Sequence, residues 1–403
     1  MSLRLVDSVA DRLARALACE RPLDRLGGAR RAELLAAAIP RFESRARESI
    51  AELEASSGLK KANLLRGLSD ALESMSLERF IEILERAERS APPGTRPSPL
   101  GLHLSILPSN VFTAPLRALI LPLLFGNPVI AKASSRGDRL AHLFADALTE
   151  TFAEAEPALR DALFVLTFSS QERDLLERLL VQAKSVAAYG TDQTVRAIRE
   201  LLPAQTRYQA HGSGLGLALM DGPADEATLA RFAEDIIAFD QRGCLSPHAL
   251  FTLGDARQAA EALERALSAA SFRRPRGALP LELASAQLQW RAVGEARGEL
   301  IEGHDFAITI EPAGPPRISP GYRNIAIIPL ESKTEFLRIA ASFGQRLKAL
   351  GIESEECASL IDELPLLVSP RISRFGEMQR PAIDEPWEGL APHEGFVLYR
   401  AAW

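Results

Sequence analysis

One cysteine of this chain lies in a setting that could present its sulfur to a cleft. Cys244 sits in the segment FDQRGCLSP, between a predicted helix and a predicted strand, with Gly243 directly before it. A thiol in a glycine-containing turn can act as a nucleophile, because the turn keeps the sulfur out of the core. From spacing alone, however, a buried core role is commoner for a free cysteine. Both interpretations stay open at this point.

The other two cysteines lack such a turn. Cys19 and Cys357 lie on charged segments that are predicted to be helical. Three cysteines at wide spacing fit neither a disulfide framework nor a metal cluster, so no bound metal is expected. This cysteine usage favours a reducing, cytoplasmic location.

Polar residues follow two predicted strands at positions where a parallel sheet binds ligands. In LPSNVFTAP (107–115), Asn110 lies between a strand and a helix, and its amide could donate to a developing oxyanion. Lys132 ends the next strand and could reach a ribose hydroxyl or a cofactor phosphate. Taken singly, asparagine is more often a turn former and a strand-end lysine is more often solvated.

Two glycine-containing segments follow further along the chain. Gly190 and Thr191, in YGTD, join a strand to a helix, and glycine there lets a phosphate approach the free N–H groups of the helix. The glycines of HGSGLGL (211–217) are spaced G-x-G-x-G and precede a strand, so they do not match the dinucleotide fingerprint. They are interpreted as a tight link into a second lobe.

The elements that must position these residues form two series of alternating strands and helices. This alternation predicts an α/β fold with two doubly wound, mostly parallel sheets. The predicted division is a helical region over 1–99, a cofactor-binding domain over 100–208, a catalytic domain over 209–369, and a C-terminal arm over 370–403. Within the second lobe, 273–300 has no clear pattern and 335–350 is predicted to be a helix.

Composition narrows the class of protein further. The chain has 403 residues, 47% of them hydrophobic, which is enough to bury more than one core. A net charge of −6 without a basic block argues against a nucleic-acid partner. The most apolar run, 118–125, is too short to span a bilayer, so no membrane span is expected.

Taken in order, these segments resemble the aldehyde dehydrogenase superfamily, and most closely its acyl-CoA reductase branch of the LuxC type. The superfamily has a P-x-N turn and then L-x-x-G-N-x-V-x-x-K, similar to LPSN and to LLFGNPVIAK here. AAYGTD and HGSGLGLALM resemble its cofactor turn and its glycine-rich linker. The segment from Asp240 to Pro247 resembles the D-Q-x-x-C-x-S-P of the reductase branch. The resemblance extends roughly over residues 60–403, including SPGYRNI and FGEMQRPAIDEPWEGL.

The resemblance implies a function and roles for single residues. It implies that Cys244 accepts an acyl group from acyl-CoA or an acyl carrier, and that NADPH, with NADH as the alternative, reduces it to an aldehyde. Asn110 and the backbone N–H of Cys244 would form the oxyanion hole. The implied cofactor contacts are Pro108, Ser109, Lys132, Gly190 and Thr191.

The sequence departs from the aldehyde-oxidising relatives at one informative position. Where those relatives have a glutamate base, this chain has His211, which favours reduction over hydrolysis because water is then poorly activated. His211 either assists the thiol chemistry or is structural. Only Glu311, in EPAGP, is a candidate for the second glutamate of the superfamily.

Two other functions stay open. One is an aldehyde dehydrogenase that oxidises free aldehydes, and the other is a non-catalytic acyl-carrier-binding subunit of the same fold. A homodimer formed through the C-terminal arm is a further expectation, left open because the chain is shorter than is usual for the superfamily.

Overall fold

Two mainly parallel sheets, each covered by helices, form the framework of the chain. A computed structural model describes residues 3–134, 139–169, 171–223, 225–354, 363–365 and 369–401. The α/β class with two doubly wound lobes, as predicted from the sequence, is confirmed.

In the described part of the chain, six helices precede the first sheet: α2 to α6 contribute to the core on one face of it, whereas α1 packs on the opposite face. Helix α3 carries an apolar face that includes Leu35, Ala38 and Phe42, and this face packs against helices α6 and α8. The edge-to-face contact of Phe42 with Phe144, at 5.4 Å between ring centroids, fixes α3 on α8. The six helices are α1 (Leu3–Ala18), α2 (Glu20–Leu26), α3 (Gly28–Glu48), α4 (Ile50–Ser57), α5 (Lys61–Glu73) and α6 (Leu77–Arg89).

The first sheet has five parallel strands in the order β4-β3-β2-β5-β6. The chain moves outward from β2 to β4 and then returns to the other side of β2, so the order reverses between β2 and β5. Ligands bind at the carboxyl ends of the strands at such a reversal. The elements are β2 (His103–Ile106), α7 (Pro115–Leu124), β3 (Val129–Ala133), α8 (Arg139–Ala155), β4 (Leu163–Thr167), α9 (Arg173–Gln182), β5 (Ser185–Tyr189), α10 (Asp192–Leu201) and β6 (Arg207–His211).

The second sheet has seven strands in the order β13-β12-β7-β8-β11-β10-β9, and only β9 is antiparallel to its neighbour. The middle residues of the central strand β8 are all apolar and buried, which is typical of a strand buried on both faces. The elements are β7 (Leu215–Met220), α11 (Glu226–Ile237), β8 (Pro247–Thr252), α12 (Ala256–Arg273), α13 (Leu281–Arg297), β9 (Glu299–Glu302), β10 (Ala307–Ile310), β11 (Asn324–Pro329), α14 (Lys333–Ser342), β12 (Leu347–Ile352) and β13 (Arg371–Arg374).

The C-terminal segment returns to the first lobe. Strand β14 (Val397–Ala401) pairs in antiparallel fashion with β1 (Thr95–Pro99). The buried Asn127 side chain fastens this return, because its Nδ2 donates to the Phe396 carbonyl oxygen at 3.0 Å and its Oδ1 accepts from the N–H of Gly101 at 3.0 Å. The arm therefore crosses both lobes of one chain.

One sequence prediction about the second lobe is wrong, and one segment left unassigned is a helix. Residues 335–350 are not one helix: α14 ends at Ser342 and strand β12 begins at Leu347. A short apolar run buried in a sheet cannot be told from a buried helix by periodicity alone. The segment 273–300, for which no element was predicted, contains the whole of helix α13. Strand β6 (Arg207–His211) was not predicted, and Cys357 lies outside the described residues.

A buried ion cluster fixes the loop before Cys244. The Arg323 guanidinium, fully buried, donates to Asp240 at 2.7 Å and to Asp305 at 3.2 Å. Asp240 also accepts from the Asn63 amide of helix α5 at 3.3 Å. The cluster therefore ties a helix of the first lobe to the loop of the second lobe that precedes Cys244.

Replacement of Arg323 by methionine should destabilise the fold strongly. The change leaves two buried carboxylates without their cation, and breaking such a pair costs about 3–5 kcal/mol. Urea unfolding followed by circular dichroism measures the loss. Arg30→Met is the matched control, because Arg30 pairs with Glu33 on the exposed surface and such a pair contributes about 1 kcal/mol or less. Equal losses in both variants would contradict the prediction.

Candidate active site

Cys244 lies at the second position of a tight turn between helix α11 and strand β8. The turn is closed by a hydrogen bond from the Ser246 N–H to the Gly243 carbonyl oxygen at 3.1 Å. The Ser246 hydroxyl accepts from the Gly243 N–H at 3.2 Å. These two bonds fix the backbone on both sides of Cys244 and therefore the direction of its side chain.

The chain enters this turn through a strained stretch. Phe239, Asp240 and Gln241 have φ of 50, 52 and 58°, a conformation that is costly for residues other than glycine. The Gln241 side chain holds it, donating to the carbonyl oxygens of Pro247 and Asn324 at 2.7 and 2.8 Å. Strain of this kind persists where surrounding contacts over-determine the backbone, and it is common at functional sites.

A cavity of about 790 Å³ has Cys244 on its wall. It lies between the two lobes and extends to the carboxyl ends of the first sheet at the reversal of strand order. The residues of the first lobe that line it include Pro108, Ser109, Asn110, Gly190 and Thr191. With His211, which also lines the cavity, the structure therefore brings Cys244 together with six of the other predicted site residues.

Asn110 and Lys132 are placed differently relative to this cavity. The Asn110 side chain donates to the Arg242 carbonyl oxygen at 3.0 Å, which fixes its amide beside the turn of Cys244. Lys132 is the second-to-last residue of strand β3, at the same edge of the sheet, but it is not among the residues that line the cavity. Its ammonium lies 5.1 Å from the ring centroid of Phe168.

His211 ends strand β6 and lines the cavity. The register of β5 with β6 sets His211 beside Tyr189, and the two rings stack at 4.3 Å between centroids. The Nδ1 of His211 is 3.2 Å from Oε1 of Glu388. His211 is therefore held by a ring on one side and a carboxylate on the other.

Glu388 brings a carboxylate into the site that the sequence interpretation did not assign. Its Oε2 lies 2.7 Å from the ammonium of Lys348, which is almost fully buried. Burial raises the pKa of Glu388, but the hydrogen bond with His211 and the charge of Lys348 outweigh it, so this pKa lies below its usual value. His211, Glu388 and Lys348 form one connected group beside Cys244.

A glycine of the HGSG segment makes room for this group. A Cβ atom at Gly214 would lie 2.1 Å from the Lys348 side chain, so only glycine lets that lysine pass toward Glu388. The sequence interpretation of HGSG as a tight link did not include this role.

A reversed turn carries Glu388 itself. Trp387 and Leu390 exchange backbone hydrogen bonds of 2.8 and 3.0 Å, and the two residues between them, Glu388 and Gly389, have φ of 53 and 81°. This is the geometry of a two-residue turn of type I′, which normally takes Asn-Gly. Glutamate at the first position is strained, and the E-G pair between Trp and Leu is the signal that could have drawn attention to it.

Glu311 does not belong to the site. Its buried carboxylate is bound by Arg317 at 2.6 Å and it does not line the cavity. Glu311, the residue that the sequence offered as the second glutamate of the superfamily, is thus part of a structural ion pair.

The thiol of Cys244 is held in its protonated form. Burial, and then the negative charge of Glu388, raise its pKa to about 11, while Lys348 acts in the opposite direction. A base close to the sulfur is therefore needed for the thiol to react near neutral pH.

The effect of the Glu388 charge on the pKa of the Cys244 thiol can be tested by substitution. In Glu388→Gln the pKa of Cys244 should fall, because the thiolate loses a repelling neighbour. The rate of alkylation of Cys244 by iodoacetamide, followed by peptide mass spectrometry across pH, should then rise at lower pH than in the wild type. Glu394→Gln, whose carboxylate caps a turn in the same segment, is the control. A pH profile of alkylation that does not change, or that shifts to higher pH, would contradict the proposed effect of Glu388 on the pKa of Cys244.

The cavity fits a nicotinamide cofactor on the side of the first sheet. Helix α10 begins at the end of β5, with Thr191 as its N-cap, and the Gly190 turn leaves the helix end open toward the cavity. Asp192 accepts from the Ser213 N–H at 2.9 Å and fastens the glycine-rich link to the same helix. No group of three or more metal-ligating side chains lies in the parts of the chain that the structure describes.

Comparison with known families decides the relationship. A family model described as acyl-CoA reductase (LuxC) matches residues 19–399. The chain belongs to the acyl-CoA reductase (LuxC) family. The resemblance seen in the sequence is confirmed, and it begins earlier than residue 60.

Curated relatives of this acyl-CoA reductase family member share only part of their length with it. The chain is similar to "Long-chain acyl-protein thioester reductase 2" of Photobacterium leiognathi, at 24% identity over 158 residues, which are 39% of this chain and 33% of the relative. It is similar to "Long-chain acyl-protein thioester reductase" of Aliivibrio fischeri at 23% identity over the same shares. The matched part thus spans about a third of those relatives.

Solved structures show the fold of this family member. It is similar to glyceraldehyde-3-phosphate dehydrogenase GapN of Methanocaldococcus jannaschii, complexed with NADP, with a TM-score of 0.77 and 14% identity over 98% of this chain and 93% of that one. Aldehyde dehydrogenase 21 of Physcomitrella patens gives a TM-score of 0.78 and 14% identity over 98% and 89%. The aldehyde-dehydrogenase-like fold is confirmed. Among the described helices, none is long and apolar enough to cross a membrane.

Proposed function

We propose that this protein reduces an acyl thioester to an aldehyde through an acyl group carried on Cys244. The observation that carries this proposal is the position of Cys244, fixed in a tight turn on the wall of a cavity that reaches the cofactor crevice of the first sheet. Membership of the acyl-CoA reductase family supports the same chemistry.

The first step is transfer of the acyl group. The Cys244 sulfur forms a bond to the carbonyl carbon, and collapse of the tetrahedral intermediate breaks the bond to the donor thiol, which leaves. The developing oxyanion would accept from the backbone N–H of Cys244 and from Asn110. The Asn110 amide has two N–H groups, and one of them is committed to the Arg242 carbonyl.

The proton of the thiol goes to the group formed by His211 and Glu388. The carboxylate stays ionised, since its pKa lies below the usual value, and His211 links it to the cavity. Lys348 keeps the carboxylate in place. The group passes this proton to the donor sulfur as it leaves. A second proton, taken up from solvent, goes through the same group to the Cys244 sulfur when the aldehyde is released.

The second step converts the enzyme thioester to an aldehyde. A bound reduced nicotinamide cofactor supplies the hydride for this two-electron step. The residues that would hold it are Pro108, Ser109, Gly190 and Thr191 in the cavity, with Lys132 at the same edge of the sheet. NADPH is the proposed cofactor and NADH the alternative. The proposed donor is an acyl-CoA or an acylated carrier protein, as the names of the relatives suggest.

The domain roles and the setting of the protein are part of the proposal. Residues 100–208 would bind the cofactor, residues 209–369 would carry the acyl chemistry, and 370–403 would serve as the arm of a homodimer. A cytoplasmic location fits the use of free thiols and a nicotinamide cofactor. Light scattering of the purified protein tests the dimer.

One assay separates the three candidate functions. The purified protein is incubated with NADPH or NADH and with acyl-CoAs of several chain lengths, and both cofactor loss and aldehyde formation are measured. Reduction with stoichiometric aldehyde supports the proposal. Oxidation of free aldehyde without thioester reduction would instead support an aldehyde dehydrogenase. Acyl binding without turnover, with acyl-CoA and acyl carrier alike, would support the non-catalytic subunit.

A further inference from the structure

Arg117 connects the start of helix α7 to the C-terminal segment that carries Glu388. Its Nη1 donates to the carbonyl oxygens of Ala382 and Ile383 at 3.1 and 2.7 Å, and its Nη2 donates to that of Glu385 at 2.6 Å. The guanidinium also lies 5.6 Å from the ring centroid of Trp387. One side chain thus contacts four residues just before Glu388.

The charge of Arg117 is not used in an ion pair. No carboxylate of the described residues lies within 4.0 Å of its guanidinium nitrogens, and burial lowers its pKa to about 10. The Arg117 side chain is half-buried on the cavity wall, and its hydrogen bonds to backbone carbonyl oxygens take the place of an ion pair. The planar guanidinium suits this task, because it can serve several carbonyl oxygens at once, which an ammonium cannot do in the same geometry.

The segment held by Arg117 leads directly into the strained turn. Glu388 has a positive φ without being glycine, and it keeps this conformation only if the neighbouring residues are fixed. Lys348 and His211 hold the side chain of Glu388, whereas Arg117 holds the backbone and the Trp387 ring before it.

Other arginines contact the same segment from outside. Arg79 and Arg86 pair with Asp384, and Arg371 pairs with Glu385. Of these four arginines, Arg117 alone lines the cavity. Arg117 therefore supplies the arginine contacts on the inner side of the segment, next to Ser74, whose hydroxyl accepts from the Ile383 N–H at 3.0 Å.

We propose that Arg117 is a positioning residue, which holds residues 382–387 so that the Glu388 carboxylate stays on His211 and Lys348 beside Cys244. This inference rests on the proposed function, because it assigns Arg117 a part in that reaction. Arg117 does not contact the reacting atoms; it acts through the geometry of Glu388.

The first test is the kinetics of Arg117→Ala with acyl-CoA and NADPH. The expected result is a kcat lower by about 10- to 100-fold, because a small displacement of a catalytic group from its productive position has an effect of this size. The KM for NADPH should stay unchanged. Guanidinium ion at millimolar, non-denaturing concentration should restore part of the lost kcat. Arg117→Lys keeps the positive charge but lacks the planar, forked donor geometry of the guanidinium, so its kcat should stay low. This variant serves as the test if Arg117→Ala does not fold. Arg79→Ala is the matched control and should keep the wild-type kcat.

A double-mutant cycle shows whether Arg117 acts through Glu388. If it does, Arg117→Ala should change kcat less than about two-fold in the Glu388→Gln background, because the group it positions is already disabled. A full additional loss in that background, or a wild-type kcat for both Arg117 variants, would overturn the inference while leaving the proposed function standing. If the wild-type protein forms no aldehyde, the proposed function fails and the inference falls with it.

Discussion

Replacement of Cys244 by alanine should abolish aldehyde formation and covalent acylation together. Among the described residues that line the cavity, Cys244 alone carries a thiol, so the expected loss in kcat is on the order of 10³-fold or more. Intact-mass measurement after incubation with acyl-CoA, without cofactor, should show one added acyl group in the wild type and none in Cys244→Ala. Hydroxylamine should remove the acyl group from the wild type, because it is held as a thioester.

Cys19→Ala provides the matched control for this experiment. Burial raises the pKa of the Cys19 thiol to about 11, as it does for Cys244, but Cys19 lies in the helical region and does not line the cavity. Access to the cavity, and not a low pKa, therefore distinguishes the two thiols. Cys19→Ala should be acylated like the wild type. An acyl group that persists in Cys244→Ala and maps to another residue would refute the assignment.

Much of the site could be predicted because local sequence determines it. The turn at Cys244 depends on Gly243 and Ser246, which are neighbours in the chain, and the loops at 108–110 and 190–191 directly follow strands. Where such strands lie in one parallel sheet, their carboxyl ends must meet. The ordered motifs of the family then selected the catalytic interpretation of Cys244 over the structural one.

The rest of the site depends on contacts between distant residues. His211 and Glu388 are 177 residues apart, and Lys348 reaches Glu388 from a strand that the sequence pattern suggested to be a helix. No periodicity or local motif reports which carboxylate packs against a given histidine. The contacts of Arg117 leave no local signal for the same reason, since its partners are backbone carbonyls more than 260 residues away.

This long-range group changes the meaning of the departure at His211. The sequence suggested that loss of the glutamate at this position leaves the site without a carboxylate. The structure places Glu388 on the imidazole, so an acid–base pair is present and its carboxylate comes from the C-terminal segment. The preference for reduction over hydrolysis then depends on whether water or the hydride donor reaches the enzyme thioester, and not only on a missing base.

Replacement of Glu388 by glutamine should slow the reaction while keeping the shape of the site. Glutamine retains the length and planarity of the side chain but cannot take up a proton, and loss of a general acid–base group costs about 10²- to 10⁴-fold in rate. Single-turnover acylation of Cys244 and steady-state kcat with NADPH measure the loss. Glu394→Gln should keep the wild-type rates.

Two measurements on this variant separate acid–base catalysis from simple electrostatics. If Glu388 acted only through its charge, its removal would lower the thiol pKa and speed both alkylation and acylation of Cys244. If Glu388 with His211 accepts the thiol proton, alkylation should shift to lower pH while acylation by acyl-CoA becomes slower. Opposite signs in the two reactions would therefore identify the proton acceptor, and an increase in both would exclude that role for Glu388.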